Sequence, residues 1–256
     1  KESFEQGAET GRQFLREAQI LANLSHPNLP RVSDYFAVPG MGQYLVMDFV
    51  EGQDLEQLLE QAGGRLPEAQ ALAWIGQVCD ALSYLHRQKP PVIHRDVKPG
   101  NIKVMPPDED HPQGRAMLVD FGVAKVYEAG TKTTVGARAV TPGYSPFEQY
   151  GQGTTDGRSD IYSFGATLYH LLTNTPPMEA RERFLQPDTM EAPRQINPAI
   201  SPRTEKTVMW AISLHPADRP QDVEILRQAL LGNWSPPVHP YRPEPPPRLS
   251  EILTSP

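Results

Sequence analysis

The chain holds a single cysteine, Cys79, among its 256 residues. No internal disulfide can therefore form, and cysteine usage favours a reducing, cytoplasmic setting. Cys79 reads as a small buried apolar side chain. Long hydrophobic runs are missing as well: no stretch of about eighteen apolar residues occurs, so nothing in the chain reads as a membrane-spanning helix. The opening residues Lys1 to Gly11 are polar rather than signal-like. Positive charge is in deficit, with 24 Lys and Arg against 31 Asp and Glu and a net charge of −7. A nucleic-acid partner is not expected, because neutralising phosphates needs a concentrated basic surface. An initiating methionine is also missing, and a helical pattern begins already at Arg12, so the start is expected to be that of a fragment. The 38% apolar content suffices for a substantial core in one large or two small domains.

Phe14, Ala18, Leu21 and Leu24 recur at helical spacing before Pro27 and Pro30 stop the pattern, which predicts one amphipathic helix. Val32 to Val38 and Gln43 to Val50 are rich in β-branched and aromatic residues around Pro39-Gly40, predicting a hairpin. From Pro67, placed at the first helical position, Leu72, Ile75, Cys79, Leu82 and Leu85 mark a long helix buried on one side. Ile102 to Met105 and Ala116 to Asp120 are short apolar runs flanking a polar, turn-forming insert, and so form a second expected hairpin. Ser159 to Leu172 is almost continuously apolar behind a serine in N-cap position, as a helix buried on most sides would be. Eight prolines fall between Ser235 and Pro256, which suits an extended tail. The expected division is a folded domain over 1–231 and a proline-rich tail or linker over 232–256.

Three motifs occur in order: His94-Arg95-Asp96-Val97-Lys98-Pro99-Gly100-Asn101, then Asp120-Phe121-Gly122, then Thr141-Pro-Gly-Tyr-Ser-Pro-Phe-Glu148. Any one tripeptide among them is weak; their order, followed by the buried helix, is strong. Together they resemble the signature set of the protein kinases, with the borrowed roles of the phosphoryl-transfer template. The phrasing of Ser159 to Tyr169 is similar to that of bacterial, eukaryotic-like (Hanks-type) Ser/Thr kinases. Moving a phosphoryl group between two oxygens is chiefly positioning and charge neutralisation, which is what such residue types supply.

The resemblance implies that Asp96 accepts or orients the acceptor hydroxyl proton and that Lys98 places a positive charge at the transferring phosphate. It further implies that Asp120 and Asn101 offer hard oxygens to Mg2+. ATP and Mg2+ are the implied cofactors. Glu17 matches the helix glutamate that pairs with an upper-lobe lysine, for which Lys1 stands at a plausible separation. Met47, Asp48 and Val50 match the gatekeeper and adenine hinge, and Asp54 matches a ribose-contacting carboxylate. Lys103 departs from the family, where an apolar residue usually lies under the adenine; its stem is expected to substitute by snorkelling. Leu21, His94 and Phe121 match an internal hydrophobic stack, with Asp160 as the buried anchor beneath His94. Glu148 and Arg219 match the ion pair tying the activation segment to the lower lobe. Arg95 with a phosphorylated Thr133 or Thr134 would order that segment, and Thr141 would sit close to Asp96 and Lys98.

The expected fold is α+β and bilobal, a mostly helical lower lobe beneath an incomplete upper lobe of one helix and two strands, with the glycine-rich loop absent. The implied activity is transfer of the ATP γ-phosphate to Ser or Thr hydroxyls of a protein substrate. Self-association for autophosphorylation is the other expected partnership, and the setting is cytoplasmic or the cytoplasmic part of an anchored protein. Two other classes stand beside it. A pseudokinase or inactive fragment serving as an interaction module would have no need of Asp96, Lys98, Asn101 and Asp120 together. A small-molecule phosphotransferase would lack a segment ending in Glu148 with its Arg219 partner.

Overall fold

The computed structural model describes residues 15–16, 18–38, 42–120, 125–126, 140–150, 154–186 and 189–234. Helical backbone at 15–16 and 18–22 forms α1. Its Ala18 and Leu21, with Leu24 just beyond, are buried as their spacing predicts. The turn after it is fixed by Asn28, whose Nδ2 donates to the Ala116 carbonyl at 2.8 Å while its own carbonyl accepts the Leu118 N–H at 2.9 Å. An antiparallel hairpin follows, β1 Val32–Val38 with β2 Gly42–Met47. The second strand ends at Met47 rather than continuing to Val50. There the Asp48 N–H turns to the Arg31 carbonyl at 2.9 Å and Phe49 projects into solvent.

β3 Gln53–Asp54 runs directly into α2 Leu55–Gln61, a helix the periodicity did not single out. Asp54 caps it: Oδ1 accepts the Gln57 N–H at 2.9 Å and Gln57 Oε1 accepts the Asp54 N–H at 3.1 Å, a reciprocal capping box. The long helix α3 Glu68–His86 begins one residue later than expected. Pro67 stands just outside it at the N-cap with extended ψ, where its missing N–H costs nothing.

β4 Val92–Ile93 pairs with β7 Lys125–Val126, and β5 Ile102–Met105 pairs antiparallel with β6 Arg115–Leu118, bearing out the second hairpin. β3 adds to the free edge of β5, making a three-stranded sheet of order β3-β5-β6. In the β5-β6 register Ile102 faces Leu118 on the core side, so Lys103 and Met117, opposite one another, project from the other face.

The core sits under this sheet. α4 Gly157–Thr173 is buried along nearly its whole length and packs against α3, α7 Pro202–Ala211 and α8 Val223–Leu231. Short helices α5 Ala180–Leu185 and α6 Pro193–Ile196 complete this helical half. The cap of α4 is a correction: Asp156, not Ser159, accepts the first free amide, from Arg158 at 2.9 Å. Ser159 lies within the first turn and donates instead to Glu148 Oε1 at 2.8 Å. α8 stops at Leu231 because Gly232 takes the left-handed conformation, φ 83°, that closes a helix C-terminus.

Candidate active site

Asp96 lies on the loop between β4 and the 3-10 turn Pro99–Asn101, and three side chains converge on its carboxylate. Oδ1 accepts the Thr141 hydroxyl at 2.7 Å. Oδ2 accepts Asn101 Nδ2 at 2.8 Å and lies 2.8 Å from the Lys98 ammonium. Lys98 also reaches the Thr141 hydroxyl at 3.4 Å. Asp96 and Lys98 stay about a quarter exposed, with relative side-chain accessibilities of 22% and 28%, so both remain open to a substrate. Asn101 Nδ2 donates in addition to the Asp96 carbonyl at 2.8 Å. With the amide nitrogen so engaged, the side chain has its neutral oxygen to offer a hard cation. Asp120 is brought alongside because the Val119 N–H donates to the Asn101 carbonyl at 2.9 Å. Asp120 is solvent-exposed and left-handed, φ 55°.

The loop is held from below. Asp160, fully buried on α4, accepts the His94 N–H at 2.9 Å through Oδ2 and the Arg95 N–H at 2.7 Å through Oδ1. Burial alone would push this carboxyl up. The His86 hydrogen bond and charge, His94 and the Arg95 amide outweigh it and hold Asp160 below the usual carboxylate range. His94 is buried too, and desolvation lowers its proton affinity. Its Nε2 lies 3.2 Å from the Val119 carbonyl, and its Nδ1 faces the Asp96 N–H at 3.4 Å, which fits a neutral ring protonated at Nε2. Arg95 sits at φ 70°, a conformation that a side-chain-bearing residue keeps only when its neighbours enforce it.

The segment carrying Thr141 is anchored at its far end. Arg219, wholly buried, donates from both terminal nitrogens to Glu148, at 2.7 and 3.0 Å. Its three other N–H groups go to the carbonyls of Ser213, Arg158 and Leu214. Between the two ends, the Thr141 N–H donates to Ser145 Oγ at 3.0 Å, and the buried Gln149 amide donates to the Arg95 carbonyl at 3.1 Å. The Asp96 loop and this segment are thus joined at two points, Thr141 on Asp96 and Gln149 on the Arg95 carbonyl.

The profile of the protein kinase domain family matches residues 1–231. The chain belongs to the protein kinase family. Serine/threonine-protein kinase pkn3 of Myxococcus xanthus is 35% identical over 86% of this chain and 42% of its own length. Serine/threonine-protein kinase PknB of Mycobacterium leprae is 31% identical over 94% of this chain and 38% of its own length. The chain thus spans about two fifths of the curated relatives it matches. Among solved structures, the Mycobacterium tuberculosis PknI kinase domain superposes with a TM-score of 0.67 at 27% identity, covering 88% of this chain and 80% of that one. These likenesses bear out the α+β kinase-like fold and place the kinase domain among bacterial Ser/Thr kinase relatives.

In this kinase domain the first and third motifs, 45 positions apart at Asp96 and Thr141, meet at the Asp96 carboxylate, and the second is joined to the first through the Val119 N–H on the Asn101 carbonyl, next to Asp120. Met47 ends β2, and Asp48 is exposed while Val50 is buried against Met117 and Val119. Asp54 is occupied as the cap of α2. Lys103 opposes it across the sheet, its ammonium 3.4 Å from the Gly52 carbonyl and 5.7 Å from the centre of the Phe49 ring. Leu21 is buried in the main core. Lys1, Glu17, Phe121, Thr133 and Thr134 lie outside the described residues. His86 escaped the sequence reading: its Nε2 lies 2.8 Å from Asp160 Oδ2.

Proposed function

We propose that this domain transfers the γ-phosphoryl group of ATP to Ser or Thr hydroxyls of a protein substrate. The observation that carries the proposal is the carboxylate of Asp96, polarised on one oxygen by Thr141 and held on the other by Asn101 and Lys98. That grip fixes the Asp96 carboxylate, and its partial exposure leaves it open to an acceptor hydroxyl. As the acceptor oxygen bonds to the γ-phosphorus and the bond to the β-phosphate oxygen breaks, the hydroxyl proton passes to Asp96 and ADP carries off the leaving charge. Lys98, 2.8 Å from Asp96, is close enough to neutralise charge on the phosphoryl oxygens in flight.

The residues present suit magnesium. Asp120 and the Asn101 amide oxygen are hard donors, and among the described residues no cluster of three or more His, Cys, Asp or Glu could enclose a metal alone. Such a sparse set matches an ion that keeps waters and phosphate oxygens in its shell. When bound, the ion would neutralise the phosphates and fix their geometry. Met47, Asp48 and Val50 are proposed as the adenine hinge, and Lys103 with Met117 as the floor beneath the base. Asp54 can offer the ribose only the carboxylate capacity that the α2 cap leaves over. Glu148 and Arg219 are proposed to hold the activation segment, and Arg95 with Thr133 or Thr134 to order it on phosphorylation. The domain is taken to span 1–231, supported by the Gly232 cap after α8. The test is transfer of labelled phosphate from Mg-ATP to a generic protein, followed by phosphoamino-acid analysis. Label on Ser or Thr that is lost in Asp120→Asn supports the proposal; label that persists in the variant removes it.

A further inference from the structure

Glu56 stands exposed in the first turn of α2, and among the described residues its carboxylate is engaged in no hydrogen bond or ion pair. A glutamate without a partner is ordinary on a surface helix; the two neighbours of this one are not. The first is Gly100, in the 3-10 turn directly before Asn101, whose amide grips Asp96. A Cβ added at Gly100 would lie 3.0 Å from Glu56 Oε2. Gly100 is not among the glycines of positive φ, so backbone freedom does not explain it. Its missing side chain leaves the room in which the carboxylate lies against the Asp96 loop.

The second neighbour is Tyr144, on the segment that carries Thr141, with its N–H on the Thr141 carbonyl at 3.1 Å. The Glu56 charge adds to burial in raising the Tyr144 hydroxyl above its usual range. That hydroxyl lies 2.6 Å from His170 Nδ1, and burial lowers the proton affinity of His170, which fits a neutral imidazole accepting the phenol proton. The Tyr144 proton is thus turned away from Glu56. Lys98, the ammonium of the Asp96 loop, is spent as well, 2.8 Å from Asp96 and 3.4 Å from Thr141. An uncompensated carboxylate therefore borders both segments that grip the base, beside the place an acceptor hydroxyl must reach.

We infer that Glu56 is a specificity-determining residue: it pairs with an arginine or lysine side chain flanking the Ser or Thr acceptor of the substrate protein, in the room that Gly100 leaves. This rests on the transfer to Ser or Thr proposed above. An arginine fork matches the carboxylate better than a lysine ammonium, since it can donate two parallel hydrogen bonds. Glu56 bonds to none of the side chains around Asp96, so its signature is selective: the preference for basic substrates changes while KM for ATP does not.

The experiment uses the full chain and a neutral Ser/Thr peptide, into which a single Arg is placed at each position in turn on either side of the acceptor. Affinity for the same peptides with Ala in place of the acceptor is measured in parallel. The wild type should favour Arg at one or two of these positions by about three- to thirtyfold in kcat/KM and in affinity. Glu56→Gln should lose that preference while keeping its rate on the neutral peptide, and Glu56→Lys should turn it toward a peptide with Glu at the same position. A wild type indifferent to Arg everywhere, or a preference that survives unchanged in Glu56→Gln, would overturn the inference. Should the wild type transfer no phosphate, the proposed activity fails, and the affinities of the Ala peptides alone still decide the role of Glu56.

Discussion

Removing the Glu148 carboxylate should destabilise the domain severely, because of what it leaves behind. Arg219 has a side-chain accessibility of 0% and Glu148 one of 10%. All five guanidinium N–H groups are spent, two on Glu148 and three on carbonyls, and the ring of Tyr162 lies 5.0 Å from the guanidinium carbon. In Glu148→Ala the cation stays buried with two donors unmet and no counter-charge, and breaking such a pair costs about 3–5 kcal/mol. For a domain of this size each kcal/mol moves Tm by about 2–4 °C, so the loss should be roughly 6–20 °C. Thermal and urea unfolding followed by circular dichroism measure it, with an unchanged urea slope showing that stability rather than compactness moved. The double variant Glu148→Leu/Arg219→Met should be more stable than either single charge removal, because no orphan charge remains. Glu148→Ala within about 1 kcal/mol of wild type would refute the reasoning, placing the guanidinium in a solvated site rather than a desolvated one.

Two further outcomes follow from the helical half. Burial lowers the proton affinity of His94 below its ordinary 6.5, so the unfolded chain binds the extra proton first as pH falls. Stability is therefore complete above pH 6.5 and declines below it, and His94→Phe should flatten that decline without abolishing it. His26 and His170 are lowered by burial in the same sense and supply the remainder; an unchanged pH slope in the variant would discount His94. Gly165 lets α4 approach α7 closely, since an added Cβ would meet Ala211 Cβ at 2.7 Å and Ile212 Cγ2 at 3.0 Å. Gly165→Ala should cost about 1–3 kcal/mol in urea unfolding despite the better helix propensity of alanine; a more stable variant would mean that the two helices part freely.

What could be read without coordinates was whatever the chain keeps local. The loop from His94 to Asn101 carries its own chemistry within eight residues, and the hairpin and α3 announce themselves by period. α2 is legible in principle, through Asp54 and Gln57 at capping-box spacing among Leu55, Leu58 and Leu59, but the family resemblance points Asp54 to the ribose instead. The α4 cap went to Ser159 because serine before an apolar run looks like a cap; only the fold shows its hydroxyl turned to Glu148. β3 is two residues long, too short for any periodicity. His86 could not have been found from sequence, since a histidine closing a helix carries no mark of a carboxylate 74 positions away. The Glu148–Arg219 pair was reachable only through the family resemblance, and the structure adds the reason for arginine: five donors, each with a partner.

The most direct test of the central claim is a single-turnover comparison of the wild type with Asp96→Asn, using Mg-ATP labelled at the γ-phosphate and nucleotide affinity measured in parallel. Asn keeps the shape and can still accept from Thr141, yet it cannot take a proton. Transfer should fall by about 10²- to 10⁴-fold with ATP affinity unchanged. Equal, measurable transfer by both proteins would contradict the assignment of Asp96 as the group that receives the acceptor proton.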